Sequence, residues 1–242
     1  MEAMKAWPAV SFTHRGGALR LRWWVEGVRR AGFIPVVCDD AADPLPGWAR
    51  GWLHAQGVEY RVTDFPRRGN LNGTDCAAAI AAELAAACER HEASHALKVD
   101  DDTVIVRPEL FTAHAAAGAI GLTWEEGPRA GAYGMAYGLE KEAARAASRI
   151  LTGGPFDPHA PEDLAVWSTV KKIAPVVEHR FRPDEGPFTA LPAGACVTDA
   201  VRRFGVITVG NPPPGGWRDR DRETAGRMRE MVKVNVGRRT LR

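Results

Sequence analysis

The sequence of residues 95–110 is HALKVDDDTVIVRPEL. An apolar run precedes the acids and a β-branched run follows them, which predicts a strand, a turn and a short return strand. Asp100, Asp101 and Asp102 therefore lie at a strand end, where adjacent carboxylates repel one another. Carboxylate oxygens suit hard ions such as Mg²⁺ and Mn²⁺, so the stretch predicts a divalent cation site. The alternative is a solvated acidic turn between two strands.

The preceding part of the chain alternates between strand and helix patterns. Residues 9–13 have the pattern of a strand, residues 18–31 that of an amphipathic helix, and residues 33–38 that of a second strand. A strand, a helix and a strand in succession begin a parallel sheet. Later segments continue this alternation. We therefore predict an α/β fold with a mixed, mostly parallel sheet flanked by helices.

Composition sets the broad class of protein. The chain has 242 residues, of which 45% are hydrophobic and 26% charged, as in an ordinary soluble globular protein. No signal peptide is visible, and no stretch approaches the roughly 20 apolar residues of a membrane span. The four cysteines lack CxxC spacing, which argues against a zinc site and favours small core residues. We expect a reduced cytoplasmic protein.

Two loops have the composition of a phosphate or nucleotide contact. Residues 14–17 (HRGG) follow the first strand, and glycines there permit close approach of the backbone to a ligand. Residues 66–73 (PRRGNLNG) are rich in turn formers and positive charge. Asp39, at the end of the second strand, either accepts hydrogen bonds from a nucleoside or simply ends the strand. Ordinary surface loops remain the alternative for both segments.

The C-terminal segment is basic. Residues 217–242 contain nine Arg and Lys against four Asp and Glu. Such a segment either contacts phosphates or nucleic acid, or is a solvated and partly helical tail.

Three motifs in order resemble one enzyme family. Residues 97–105 (LKVDDDTVI) look like the Lys-x-Asp-Asp-Asp stretch of the β-1,3-galactosyltransferase and Fringe-like glycosyltransferases. Residues 133–143 (YGMAYGLEKEA) are similar to the strand and helix before that family's acceptor site, and residues 161–166 (PEDLAV) resemble its Glu-Asp-Val motif. The resemblance implies a GT-A fold with a DxD metal motif, and an acid that acts as the base of inverting transfer.

The resemblance and the strand ends together give candidate site residues. Asp163 is the first choice for the catalytic base and Glu162 the second. Asp100 and Asp102 would hold Mn²⁺ or Mg²⁺, with His179 as a third ligand; the alternative for His179 is a hydrogen-bonded structural histidine. The candidates for nucleotide binding are Thr13, His14, Arg15, Asp39, Arg68, Asn70, Asn72, Lys98, Asp100 and Asp101.

The functional prediction is a metal-dependent hexosyltransferase that uses a nucleoside-diphosphate sugar, with UDP as the expected nucleotide. Residues 1–106 would form the nucleotide-binding half of one domain, 107–211 the acceptor half, and 212–242 a basic tail. The acceptor would be a glycan, a small molecule or a modified DNA base, in a bacterium or a phage-infected cell. Two alternatives are a nucleotidyltransferase of the sugar-nucleotide pyrophosphorylase type and a non-catalytic module that binds nucleotide sugar or nucleic acid.

Overall fold

The computed structural model describes residues 5–65, 71–123, 132–180, 188–191, 195–209 and 217–239. The strands are β1 (Pro8–Thr13), β2 (Ile34–Asp40), β3 (Glu59–Thr63), β4 (His95–Val99), β5 (Thr103–Ile105), β6 (Ala119–Thr123), β7 (Ala132–Glu140), β8 (Val176–Arg180), β9 (Phe188–Ala190) and β10 (Val206–Thr208). The helices are α1 (Leu21–Arg30), α2 (Gly47–Ala55), α3 (Thr74–Arg90), α4 (Glu109–Thr112), α5 (Lys141–Gly153), α6 (Glu162–Val170), α7 (Val197–Arg203) and α8 (Trp217–Arg239). A 3₁₀ turn (Arg15–Gly17) precedes α1.

Seven strands form the main sheet, in the order β3-β2-β1-β4-β7-β6-β8. The pairs β3-β2, β2-β1, β1-β4 and β6-β8 are parallel, whereas β7 runs antiparallel to both β4 and β6. The predicted mixed and mostly parallel sheet is therefore confirmed. Because β1, β2 and β4 are parallel, their carboxyl ends meet at one edge.

Helices cover both faces of the main sheet. One apolar cluster joins α1, α2 and α8 to one face, and a second joins α3, α5 and α6 to the other. Small residues permit close packing in the second layer. A Cβ at Gly121 of β6 would lie 2.5 Å from the Trp167 ring, so the strand needs glycine where this ring of α6 packs.

A second, three-stranded sheet has the order β5-β10-β9. The residues between β4 and β5 carry the chain from the main sheet to this smaller one. The Thr103 N–H donates to the Asp100 carbonyl at 3.0 Å, which closes a tight turn over the three acids. The acidic turn therefore lies where the two sheets meet.

The C-terminal segment packs against the rest of the chain. Met228, Met231 and Val232 of α8 are buried in the same cluster as α1. Only part of the prediction for this segment is therefore right: it is helical, but one face of the helix is in the core because a methionine and valine stripe faces α1. Residues 212–216, predicted as part of the tail, lie outside the described residues.

Two expectations from composition can be compared with the structure. Cys38, Cys76 and Cys88 are buried as predicted, whereas Cys196 is exposed just before α7. None of the helices in the described parts of the chain combines the length and the apolar composition needed to cross a membrane.

Candidate active site

The three acids of the turn have different partners. Asp101 is the most constrained: the Thr13 hydroxyl donates to its Oδ2 at 2.6 Å, and Arg20 Nη2 lies 3.0 Å from its Oδ1. Arg20 also lies 3.6 Å from Asp221 of α8. A Cβ at Gly17 would lie 2.1 Å from Asp101 Oδ2, so this position needs glycine. Thr13 and Asp101, both predicted to bind nucleotide, are hydrogen-bonded to each other.

Asp102 faces the smaller sheet. Its Oδ1 accepts from the Thr208 hydroxyl of β10 at 3.1 Å, and its backbone carbonyl accepts from the Val209 N–H at 3.0 Å. Burial, and then the charges of Asp100 and Asp101, raise the pKa of Asp102 to about 7, against the opposing effect of Arg20. The site therefore disfavours the charged carboxylate, through burial first and through the neighbouring negative charges second.

Asp100 belongs to a buried charge network. Lys98 Nζ lies 2.5 Å from Asp100 Oδ1 and 3.0 Å from Glu162 Oε1. The Tyr137 hydroxyl donates to Glu162 Oε2 at 2.9 Å. The side chain of Asp100 is 39% exposed, whereas those of Lys98 and Glu162 are only 3% and 5% exposed. Asp100 thus presents one side to solvent.

The network explains two of the predicted site residues. Burial opposes the charge of Lys98, but Asp100 and Glu162 raise its pKa, so it stays an ammonium ion. This ammonium is enclosed by its two carboxylate partners, and the structure places it behind the acidic turn, not at a nucleotide-binding surface. Both oxygens of Glu162 already accept hydrogen bonds from protein groups, so Glu162 is badly placed to take a proton from an acceptor.

Asp163 is less enclosed than Glu162. It is half-buried in the first turn of α6, and its Oδ1 accepts from the Leu164 N–H at 2.8 Å. Burial raises the pKa of both Asp100 and Glu162, and the charge of Asp163 raises each of them further. Asp163 therefore lies near the acidic turn with a carboxylate that is only partly engaged.

Asp39 has no face open to a ligand. Its side chain is fully buried, its two oxygens each lie 3.0 Å from the Leu45 N–H, and Oδ2 accepts from the Tyr60 hydroxyl at 2.5 Å. It therefore braces the loop between β2 and α2. The structural alternative for Asp39 accounts for these contacts, and the predicted contact with a nucleoside does not.

A small pocket lies at the carboxyl ends of β1 and β2, next to Asp39. Its volume is about 10 Å³, which is room for a single water molecule. The rings of Phe12 and Phe65 lie 5.3 Å apart at its wall, and Asp40 and Thr63 supply oxygen atoms. This cavity is too small for a nucleobase. The sequence did not predict the position of Asp40 at this pocket, because nothing in an Asp-Asp pair tells which residue faces outwards.

The other predicted nucleotide contacts vary in their surroundings. His14 Nδ1 and Arg15 Nε lie 3.2 Å and 3.4 Å from the carboxylate of Asp43, and the Arg15 side chain is 69% exposed. Asn72 pairs with Pro161 in an isolated bridge, which ties its loop to the start of α6. Arg68 and Asn70 lie outside the described residues.

The structure does not bring His179 to the acids. His179 Nε2 lies 2.6 Å from the Leu110 carbonyl oxygen, and its ring is 5.2 Å from that of His114. Burial lowers the pKa of His179. A neutral ring that is hydrogen-bonded to a carbonyl matches the alternative to a metal ligand, which is a structural histidine.

The acidic turn has few ligands for a metal, but they are of the right type. Among the residues that the structure describes, no group of three or more His, Cys, Asp and Glu side chains is placed to hold a metal ion. Mg²⁺ commonly uses one or two carboxylates and completes its shell with water and substrate phosphates. Asp100 and Asp102 meet this smaller requirement, so they fit a hard divalent ion shared with a diphosphate.

Sequence reasoning missed Arg20 and Tyr137. Arg20 had a usable signal: it directly precedes the first turn of α1, where the helix dipole disfavours a cation, so an acidic partner is expected. Tyr137 had none, because its contact with Glu162 depends on the antiparallel pairing of β7 with β4.

Comparison with known proteins supports the fold. No protein-family model matches the chain, and no curated protein matches it. A glycosyltransferase involved in glycosylation of the major capsid of PBCV-1 aligns with a TM-score of 0.50 at 13% identity, over 90% of this chain and 98% of that chain. A protein of Desulfovibrio desulfuricans G20, named as a nucleotide-diphospho-sugar transferase, aligns with a TM-score of 0.49 at 10% identity, over 97% and 98%. The fold is of the GT-A type.

Proposed function

We propose that this protein is a metal-dependent glycosyltransferase that moves a sugar from a nucleoside-diphosphate sugar to a hydroxyl acceptor. The observation that carries the proposal is the acidic turn between the two sheets of a GT-A fold, where the half-buried Asp163 is close enough to Asp100 for its charge to raise the pKa of Asp100, after the larger effect of burial. The motif resemblance to the β-1,3-galactosyltransferase and Fringe-like enzymes favours an inverting hexosyltransferase with UDP as the nucleotide.

The donor would lie along the carboxyl ends of β1, β2 and β4. The exposed guanidinium of Arg15, which follows β1, is available to a phosphate. Asp100 and Asp102 would hold Mn²⁺ or Mg²⁺ against the diphosphate. When bound, this ion would supply Lewis-acid stabilisation to the departing nucleoside diphosphate.

The acceptor proton would go to Asp163. Its carboxylate is near the turn, and within the described part of the chain its one hydrogen bond is with the Leu164 N–H. A positioned carboxylate of this kind acts as a general base on a hydroxyl group. Glu162, in contrast, fixes the start of α6 through Lys98 and Tyr137. The acceptor itself is a glycan, a small molecule or a modified base in DNA.

The test measures release of nucleoside diphosphate from a panel of nucleotide sugars with Mn²⁺, with and without mixed acceptors. We expect one donor to be consumed, and the Asp163→Asn variant to lose at least about 100-fold in rate while it binds that donor as before. Unchanged turnover in the variant contradicts the role of Asp163. Binding and turnover of nucleoside triphosphates alone would instead support a nucleotidyltransferase, and binding without any turnover a non-catalytic module.

A further inference from the structure

A second groove lies between α1 and α2, away from the strand ends that form the candidate active site. Its volume is about 520 Å³. Its polar and aromatic lining consists of Arg22, Glu26, Arg29, Arg30, Trp52 and Gln56. Three guanidinium groups and one carboxylate thus share one concave surface.

Two of these arginines keep their positive charge uncompensated. Arg30 is paired with Glu26 one helical turn away. Arg29 donates to the Gln56 carbonyl at 2.6 Å, and Arg22 lies over the Trp23 ring at 5.1 Å from its centroid. Within the described parts of the chain, neither Arg22 nor Arg29 lies within salt-bridge distance of an acid. The groove therefore has net positive charge with free N–H donors.

One tryptophan side chain of α2 lies beside the arginines, and a second is exposed on the same helix. Trp52 lines the groove, and Trp48 lies one turn earlier on the same face of the helix. Trp48 is 59% exposed. An exposed indole on the helix that lines the groove is a surface feature that a folded domain does not need for its own stability.

The positive surface continues from the groove onto α8. The guanidinium group of Arg229 lies 5.8 Å from the centroid of Trp23, on which Arg22 also lies. Arg30 Nη1 lies 3.5 Å from the Val232 carbonyl oxygen, so α1 and α8 are in direct contact here. The basic character of the C-terminal segment is thereby joined to the groove.

We propose that this groove binds nucleoside phosphates in a single strand of nucleic acid. Arginine forks bind phosphate oxygens, and indole rings stack on bases; this combination binds single strands with little dependence on sequence. Arg22 and Arg29 are seven residues apart on one helix face, which separates them by about 10 Å along the axis. Two forks at this separation contact different phosphates, so a strand fits better than a free mononucleotide. The proposal does not depend on sugar transfer.

The test is fluorescence anisotropy of a labelled single-stranded dT oligomer of about 12 nucleotides, titrated with the full chain at several salt concentrations. The variant is Arg22→Gln with Arg29→Gln, which keeps side-chain length and polarity. The matched control is Arg149→Gln with Arg145→Gln, which removes two arginines from α5 on the opposite layer. We expect the first variant to bind at least about tenfold more weakly near 50 mM salt, with a log–log salt slope shallower by about 1.4.

A second variant tests the aromatic part of the groove. Trp48→Ala removes an exposed ring, and we expect it to weaken binding roughly tenfold while the salt slope stays unchanged. The proposal is overturned if the parent protein does not bind the oligomer, or if the Arg22 and Arg29 variant binds like the parent. It is also overturned if the α5 control loses as much affinity, or if dTMP competes as well as the oligomer at equal phosphate concentration.

Discussion

Two clusters of aspartates end neighbouring parts of the same sheet, and they differ in what their oxygens contact. Asp39, near the end of β2, is fully buried and accepts hydrogen bonds from the Leu45 N–H and the Tyr60 hydroxyl. The turn after β4 keeps Asp100 partly exposed, and Asp102 has a pKa raised to about 7 by burial and by its neighbours. Both clusters lie at strand ends. In the second cluster, burial and the neighbouring carboxylates disfavour the charged form of Asp102.

The partners of the carboxylate oxygens distinguish an acid that stabilises the fold from an acid that can bind a ligand. A carboxylate whose oxygens have protein donors contributes to stability, and its loss leaves those donors unpaired. A buried carboxylate beside other carboxylates lowers the free energy of unfolding, and a bound cation would offset this effect.

The largest effect concerns Lys98, the buried cation behind the acidic turn. Lys98→Met leaves Asp100 and Glu162 without their shared counter-charge, and removal of one partner from a buried pair costs about 3–5 kcal/mol. Urea unfolding measures the change in the free energy of unfolding. Lys172→Met, at an exposed position after α6, is the control and should change it by less than about 0.5 kcal/mol. A similar loss in both variants would contradict the network.

Asp39→Ala tests the structural member of the comparison. The change removes the acceptor for the Leu45 N–H and the Tyr60 hydroxyl, and should lower the free energy of unfolding by about 2 kcal/mol. It should leave metal-dependent binding of a nucleoside diphosphate unchanged, because Asp39 does not face the pocket. Lost binding together with intact stability would return Asp39 to the role of a nucleoside contact.

Tyr137→Phe tests the hydrogen bond that fixes Glu162. The variant keeps the ring but leaves one oxygen of a buried carboxylate without its donor, which should cost about 1–2 kcal/mol. The control is Tyr60→Phe, which removes the donor to Asp39 but leaves the Leu45 N–H bonded to that carboxylate. A larger loss from Tyr60→Phe than from Tyr137→Phe would show that the Asp39 contacts matter more than the network at α6.

The last prediction is a pH dependence. The pKa of Asp102 is about 7 in the folded chain and about 3.9 in an unfolded chain. The folded state therefore holds more protons between these values, and the free energy of unfolding falls as the pH rises through this window. Asp102→Asn removes that fall while Thr208 keeps an oxygen acceptor. Relative to the parent, the Tm of the variant should rise by a few degrees from about pH 5 to about pH 8. A Tm difference that is independent of pH would contradict the assigned charge environment.

Periodicity and local signals were sufficient for the fold. The strand, helix and strand at the start of the chain, and the paired runs around the acids, predicted β1, α1, β2, β4 and β5 close to their observed bounds. These elements are decided by local patterns of apolar residues, which a single sequence contains.

The site depends more on contacts between distant residues. The sequence predicted three acids at a strand end. No local pattern indicated that Asp101 would bond to Thr13 and Arg20 while the Asp100 side chain stays partly exposed to solvent. The burial of α8 was missed for the same reason, since its charges outnumber the few methionines and valines that face α1. Charge composition describes a whole segment, whereas packing depends on one face of it.

The central claim is that the acidic turn binds a diphosphate through a divalent cation. The most direct measurement is the Tm of the parent, Asp102→Ala and Asp39→Ala proteins with UDP, each with and without Mn²⁺. At a ligand concentration about 100 times Kd, binding stabilises the folded state by about 2.7 kcal/mol, which raises Tm by several degrees. We predict a Mn²⁺-dependent rise in the parent and in Asp39→Ala, and none in Asp102→Ala. An equal rise in Asp102→Ala, or no rise in the parent with UDP or any other nucleoside diphosphate, would contradict the claim.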